Sequence, residues 1–96
     1  MKAAIIGVLL STSVVASPIL IERADPRDIP YLCAAYANHY DDSVGGCTIY
    51  PQTPTALPRI IIPTRDSPNA DCIYHHELRH VREGDWHKGR KDSSCG

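Results

Sequence analysis

The fold of this chain is limited first by its four cysteines, Cys33, Cys47, Cys72 and Cys95. A domain of about 80 residues buries so little apolar surface that it is only marginally stable without cross-links. Four cysteines allow three pairings. We favour Cys33 with Cys47, which closes a short loop, and Cys72 with Cys95, which ties the C-terminal segment to the start of a predicted helix. Each disulfide is expected to stabilise the fold by about 2–4 kcal/mol.

Residues 1–16 have the pattern of a secretory signal peptide. Lys2 gives a positive end, an apolar stretch follows, and small residues precede the expected cleavage point. The mature domain would then span 17–96 in an oxidising compartment, secreted or periplasmic, where disulfides form. The alternative is an uncleaved membrane anchor that continues through Ile19-Leu20-Ile21. It is disfavoured because Pro18 and several hydroxyl side chains interrupt the apolar run.

The segment His76-Glu77-Leu78-Arg79-His80 contains an H-E-x-x-H sequence. On a helix, residues i and i+4 lie one turn apart on the same face, so His76 and His80 can present ring nitrogens to one cation. A zinc ion held by such ligands keeps a position open for water. The Glu77 carboxylate beside it is placed to accept a proton as general base. The alternative interpretation is a histidine-rich helix face in contact with solvent.

A catalytic zinc ion normally takes three protein ligands, so a third is needed. After His80 the candidates are Glu83, Asp85 and His87. Gly84 is suited to end the helix, because glycine adopts a positive φ at little cost. The chain would then turn back toward the metal. We predict His87 as the third ligand, with Asp85 as the alternative.

This segment resembles the zincin metallopeptidases, most closely the metzincin-like branch with the extended motif H-E-x-x-H-x-x-G-x-x-H. The chain reads H-E-L-R-H-V-R-E-G-D-W-H, which keeps the glycine-x-x-histidine spacing but has one additional residue before Gly84. The only methionine is Met1, so the methionine-containing turn of metzincins has no counterpart in this sequence. The resemblance covers 12 residues. It implies one zinc ion per chain and hydrolysis of a peptide bond.

Hydrophobic periodicity predicts a first helix between Asp25 and Tyr40, capped by Asp28 and packed under the metal-binding helix. His39 lies near its end. A group that stabilises the oxyanion is also needed, and the sequence leaves it open between His39 and a tyrosine. The candidate tyrosines are Tyr31, Tyr36, Tyr40, Tyr50 and Tyr74.

The metal-binding helix is predicted to begin at Ser67-Pro68, or later at Asp71, and to end at Arg82 or Glu83. On this helix Cys72 lies one turn before His76. A closed structural zinc site with Cys72 as a ligand is therefore a second interpretation, disfavoured by export to an oxidising compartment.

Short strands are predicted at Thr48-Ile49-Tyr50 and at Arg59–Ile62. The second is bracketed by Pro58 and Pro63, which limit pairing and indicate an edge strand. The zincin resemblance implies that this edge binds the substrate backbone as an added strand. A core strand is the alternative. Together these elements predict a small, disulfide-bonded α+β domain with two helices and a short-stranded sheet.

Charge excludes one class of partner. The chain has 10 Lys and Arg against 11 Asp and Glu, and no basic stripe of the kind that binds nucleic acid. We expect a peptide or protein substrate and no stable membrane insertion after signal cleavage. The function predicted is that of a secreted zinc metallopeptidase, a hydrolase. The alternatives are a non-catalytic zinc-binding module and hydrolysis of peptidoglycan or other amides at the same site.

Overall fold

A computed structural model describes residues 18–36, 45–88, 90 and 95 of the chain. The predicted signal peptide, His39 and Tyr40 lie outside these residues. Two helices, three strands and two disulfides are found within them, so the predicted α+β fold is confirmed. In chain order the elements are β1 (Leu20–Ala24), α1 (Ile29–Ala34), β2 (Cys47–Ile49), β3 (Arg59–Pro63) and α2 (Ala70–Glu83).

Strand β3 lies in the centre of the sheet, with β1 parallel on one side and β2 antiparallel on the other. The prediction of an edge strand is therefore wrong. Proline removes only a donor, and the Pro58 carbonyl still accepts a 2.9 Å hydrogen bond from the Leu20 N–H. Pairing with β2 extends only over residues 59–61, so Pro63 lies beyond it. Strand β1, which was not predicted from the sequence, occupies one edge of this sheet, and β2 occupies the other.

The two helices cover opposite faces of the sheet. Side chains alternate along a strand, so the buried Ile61 packs with α1 while Ile60 and Ile62 face α2. The prediction that α1 packs under α2 is therefore wrong. Three consecutive buried isoleucines on a central strand need an apolar cover on both faces. Burying each such side chain stabilises the fold by about 1.5–3 kcal/mol.

Helix α1 is shorter than predicted, since it ends at Ala34 and residues 35–36 are not helical. Its last turn tightens, because the Tyr36 N–H donates to the Cys33 carbonyl three residues back. Asp28 is the N-cap residue, but its side chain makes no cap hydrogen bond. The Asp25 carboxylate instead accepts a hydrogen bond from the Arg27 N–H at 2.9 Å and fixes the preceding turn.

Helix α2 begins at Ala70, after Asn69 in the left-handed conformation, and ends at Glu83. Ser67 therefore lies outside the helix, where its carbonyl accepts a hydrogen bond from the Ala70 N–H. Within the described residues, no helix is long and apolar enough to cross a membrane.

The predicted disulfide pairs are confirmed. Cys33 is bonded to Cys47, which joins α1 to β2, and Cys72 is bonded to Cys95, which fixes the C-terminal segment to the first turn of α2. Both bonds fit an oxidising compartment. Since Cys72 is bonded, it is not available as a metal-binding thiolate, and the Cys/His interpretation of the site is wrong.

Candidate metal centre

The inner face of α2 carries the three side chains of the H-E-x-x-H sequence. His76, Glu77 and His80 are 5%, 0% and 1% exposed, although each is polar. The two imidazole centroids lie 5.1 Å apart, as expected for residues one helical turn apart. His75, about a quarter-turn away, is exposed. The alternative of a solvated histidine face is therefore wrong for His76 and His80.

Gly84 ends α2 and reverses the chain. Its φ is 68° and its ψ is −142°, a combination that favours glycine, and its N–H donates to the His80 carbonyl at 2.8 Å. The Gly84 carbonyl then accepts from the Trp86 N–H at 2.8 Å, and the Lys88 N–H donates to Asp85 at 3.0 Å. This tight turn spans residues 84–88. It returns His87 to the face of α2.

Three imidazoles converge after this turn. The Nε2 atoms of His80 and His87 lie 2.9 Å apart, and one ring nitrogen from each of His76, His80 and His87 falls within 4.8 Å of the others. Nitrogens that share a tetrahedral zinc ion are about 3.3 Å apart, so the His80 and His87 nitrogens need to separate by about 0.4 Å, and a pair at the 4.8 Å limit needs to approach by about 1.5 Å. Asp85 is exposed and is not part of this group. The three histidines therefore form a group able to hold a metal ion.

Two groups near Nδ1 of His80 orient its imidazole ring. Its Nδ1 lies 2.9 Å from the Gly84 carbonyl oxygen, and because a carbonyl only accepts, Nδ1 carries the proton. The lone pair of Nε2 then points toward the other two imidazoles. The Tyr50 hydroxyl lies 3.1 Å from the same Nδ1. Such contacts to the outer nitrogen fix the tautomer and the ring plane of metal-binding histidines.

The Glu77 carboxylate is held in an asymmetric position. The Thr48 hydroxyl lies 2.7 Å from Oε1, while Oε2 lies 3.9 Å from Nε2 of His76. One carboxylate oxygen thus contacts β2, and the other faces the histidine group. The contact of Thr48 with Glu77 could not be predicted from the sequence, because Thr48 precedes Glu77 by 29 residues and belongs to no recognised motif.

Trp86 covers the histidine group from the side of the turn. Its ring centroid lies 5.3 Å from that of His76, 5.7 Å from that of His80 and 4.7 Å from that of His87. The Arg79 guanidinium stacks 3.9 Å from the Trp86 centroid, and it also pairs with Glu83 at 3.1 Å. The aromatic ring therefore separates part of the site from solvent.

Among the tyrosines in the described part of the chain, Tyr50 places its hydroxyl against a histidine of this group, at 3.1 Å from Nδ1 of His80. Tyr31 is 79% exposed, and the rings of Tyr36 and Tyr74 lie near Arg59 and Arg23. Tyr50 contacts His80 on the side away from the other imidazoles, which suits it to orient that ring. The identity of an oxyanion-stabilising group stays a prediction.

Comparisons with protein-family models, with curated proteins and with solved structures find no match to this chain.

Proposed function

We propose that this protein is a secreted zinc metallopeptidase that hydrolyses a peptide bond, with His76, His80 and His87 as ligands and Glu77 as general base. The observation that carries the proposal is the convergence of three imidazoles beside a carboxylate with one oxygen facing them. Export is supported by the signal-like N-terminus and by the two disulfides.

The donor set favours zinc over hard cations. Three neutral imidazole nitrogens suit zinc and other borderline metals, whereas calcium and magnesium prefer oxygen ligands. His76 and His80 are almost completely buried, and neutral imidazole ligands cost less to bury than charged ones. A single zinc ion per chain is the expected content.

The zinc ion and the side chains around it would have separate roles in the reaction. Bound zinc supplies Lewis-acid chemistry, since it polarises a carbonyl and lowers the pKa of water toward neutrality. Glu77 accepts a proton at Oε2, the oxygen on the histidine side, and can later deliver it to the leaving amine. Thr48 keeps Oε1 in place during this transfer. Trp86 limits the access of bulk water.

The second candidate is a zinc-binding module without catalysis, and one observation favours it. His76, Glu77 and His80 are almost completely buried. If Glu77 itself were the fourth ligand, the site would be closed and structural. A metallopeptidase needs one position open, so the two candidates differ in the role of Glu77.

Replacing Glu77 by Gln separates these functions. We expect the variant to bind one zinc ion per chain and to lose about 10²- to 10⁴-fold in kcat against a peptide library, because a general base is removed and a ligand is not. The matched control is Glu83→Gln, which changes an exposed glutamate on the same helix. Zinc content is measured by elemental analysis and turnover by mass spectrometry of the products.

Two other outcomes of these measurements would support the alternative functions. Absence of turnover in the wild-type protein, with weaker zinc binding in Glu77→Gln, would establish the closed structural site. Release of cell-wall fragments from peptidoglycan, with no cleavage of peptides, would assign the site to amide hydrolysis in that polymer.

A further inference from the structure

Alternate residues of β2 and of the positions on either side of it face the part of α2 that carries Glu77 and His80. Gly46, Thr48 and Tyr50 are two positions apart, so they point to the same side of the strand. A Cβ atom at Gly46 would lie 3.3 Å from Cγ of Glu77 and 2.9 Å from Cγ2 of Ile73. The absence of a side chain at Gly46 therefore lets the strand approach the part of α2 that carries the carboxylate.

Thr48 makes the central contact. Its side chain is 1% exposed, and its hydroxyl lies 2.7 Å from Oε1 of Glu77 and 3.2 Å from the Glu77 carbonyl oxygen. A hydroxyl has one proton, and the shorter contact is the one to the carboxylate. Hydrogen bonds to an ionised acceptor are short and about twice as strong as neutral ones. Valine would fill the same space without this donor.

We propose that Thr48 is a positioning residue that keeps Glu77 from becoming a metal ligand. Zinc accepts carboxylate oxygens, and Oε2 already lies 3.9 Å from Nε2 of His76, the nitrogen of a proposed ligand. The bond from Thr48 to Oε1 holds the carboxylate toward β2 and so leaves a position open for substrate. Without it, the carboxylate moves to the ion as a fourth ligand. This inference rests on the proposed function.

Tyr50 is the next residue on the same side of this segment, and it contacts a proposed metal ligand. Its hydroxyl lies 3.1 Å from Nδ1 of His80, so one short segment orients both the general base and a ligand. Thr48 and Tyr50 are 29 and 30 residues from their partners, and the tertiary fold brings them together. The role of β2 is therefore to fix the direction of side chains whose spacing is set by α2.

Three variants test this role with the folded, disulfide-bonded protein loaded with Co²⁺, whose visible spectrum reports ligand number and type. Thr48→Val is expected to lower kcat about 10- to 100-fold with a small change in KM, to bind Co²⁺ at least as tightly as the wild type, and to shift its spectrum. Thr48→Ser retains the hydroxyl and should restore both properties. Thr48→Val in a Glu77→Gln background should leave the spectrum unchanged, because the carboxylate is gone.

The proposal is overturned if Thr48→Val leaves kcat and spectrum unchanged, if Thr48→Ser is as defective as Thr48→Val, or if Co²⁺ affinity falls in parallel with kcat. Should Thr48→Val not fold, Thr48→Ala removes the same hydroxyl and undergoes the same measurements. Absence of hydrolysis in the wild type would refute the proposed peptidase. The spectra of the Val and Ser variants would still decide whether Thr48 restrains the carboxylate.

Discussion

The two faces of the sheet share one central strand but differ in chemistry. Toward α1, Ile61 packs with Ile29 and with the disulfide between Cys33 and Cys47. The face toward α2 combines isoleucines with buried polar side chains. These are Thr48, His76, Glu77 and His80.

The difference between the two faces means that the residues most important for stability are not those proposed to bind the metal ion. Apolar burial and a cross-link on the α1 face favour the folded state without a bound metal ion. Buried polar groups reduce stability unless they are paired, and on the α2 face they pair with one another around the proposed metal position. We therefore expect substitutions on the α1 face to alter the free energy of unfolding, and those around the histidines to alter chiefly metal affinity.

The largest effect is expected for Ile61→Ala on the α1 face. Ile61 is completely buried, so its truncation should lower the free energy of unfolding by about 2–5 kcal/mol. Zinc affinity of the remaining folded protein should not change. Urea unfolding and zinc titration measure the two quantities. A parallel loss of zinc affinity would show that the faces are coupled.

His87→Ala provides the converse test on the α2 face. Loss of one imidazole should weaken zinc binding by more than about 100-fold, because even outer contacts to metal ligands commonly contribute 10- to 100-fold. Asp85→Ala, in the same turn, is the matched control and should retain affinity. If His87→Ala bound zinc as tightly as the wild type, or if Asp85→Ala were the weaker binder, His87 would not be the third ligand.

Gly84→Ala tests the turn that connects α2 to His87. A Cβ at Gly84 meets nothing within 4 Å, so the effect comes from its φ of 68° alone. Strain of this kind amounts to about 1–3 kcal/mol, and the chain can relieve it by moving His87. We expect zinc affinity to fall about 10-fold, as measured by competition with a chelator. Unchanged affinity together with a loss of stability would show that the turn keeps its shape under strain.

The smallest effect is expected at the exposed turn before α1. Hydrogen bonds from the Arg27 side chain and then from the Arg27 N–H lower the pKa of Asp25 below its ordinary value. A depressed folded-state pKa contributes stability above the unfolded value, and this is lost as the pH falls through the folded-state value. Asp25→Asn should therefore be slightly less stable than the wild type at neutral pH, and equal to it in acid.

Urea unfolding of the metal-free protein at several pH values checks this dependence, with the exposed Asp66→Asn as control. A stability difference that persisted at low pH would assign the effect to something other than the Asp25 charge.

What could be predicted from the sequence was local. The spacing of His76, Glu77 and His80 and the end of the helix at Gly84 follow from short-range rules, whereas the two disulfide pairs were favoured among three possible connectivities. Strand β1 escaped prediction because its apolar start reads as a continuation of the preceding apolar segment. The central position of β3 was hidden by Pro58 and Pro63, whose lost donors affect pairing only at the ends of the strand.

The contacts that orient the side chains of the metal centre could not be predicted from the sequence, for a different reason. Thr48 and Tyr50 meet Glu77 and His80 only after the sheet has formed and α2 has packed on it. Nothing in their own sequence neighbourhood marks them, because threonine and tyrosine are common strand residues. The sequence thus indicates which groups are able to bind a metal ion, and the tertiary structure determines their direction.

X-ray absorption spectroscopy of the zinc-loaded protein tests the central claim most directly. We predict a first shell with three imidazole nitrogens at about 2.0–2.1 Å and one light atom from solvent. The spectrum of Glu77→Gln should be the same. A shell with two or fewer imidazoles, or one that changes when Glu77 is replaced, would contradict a three-histidine site in which Glu77 is not a ligand.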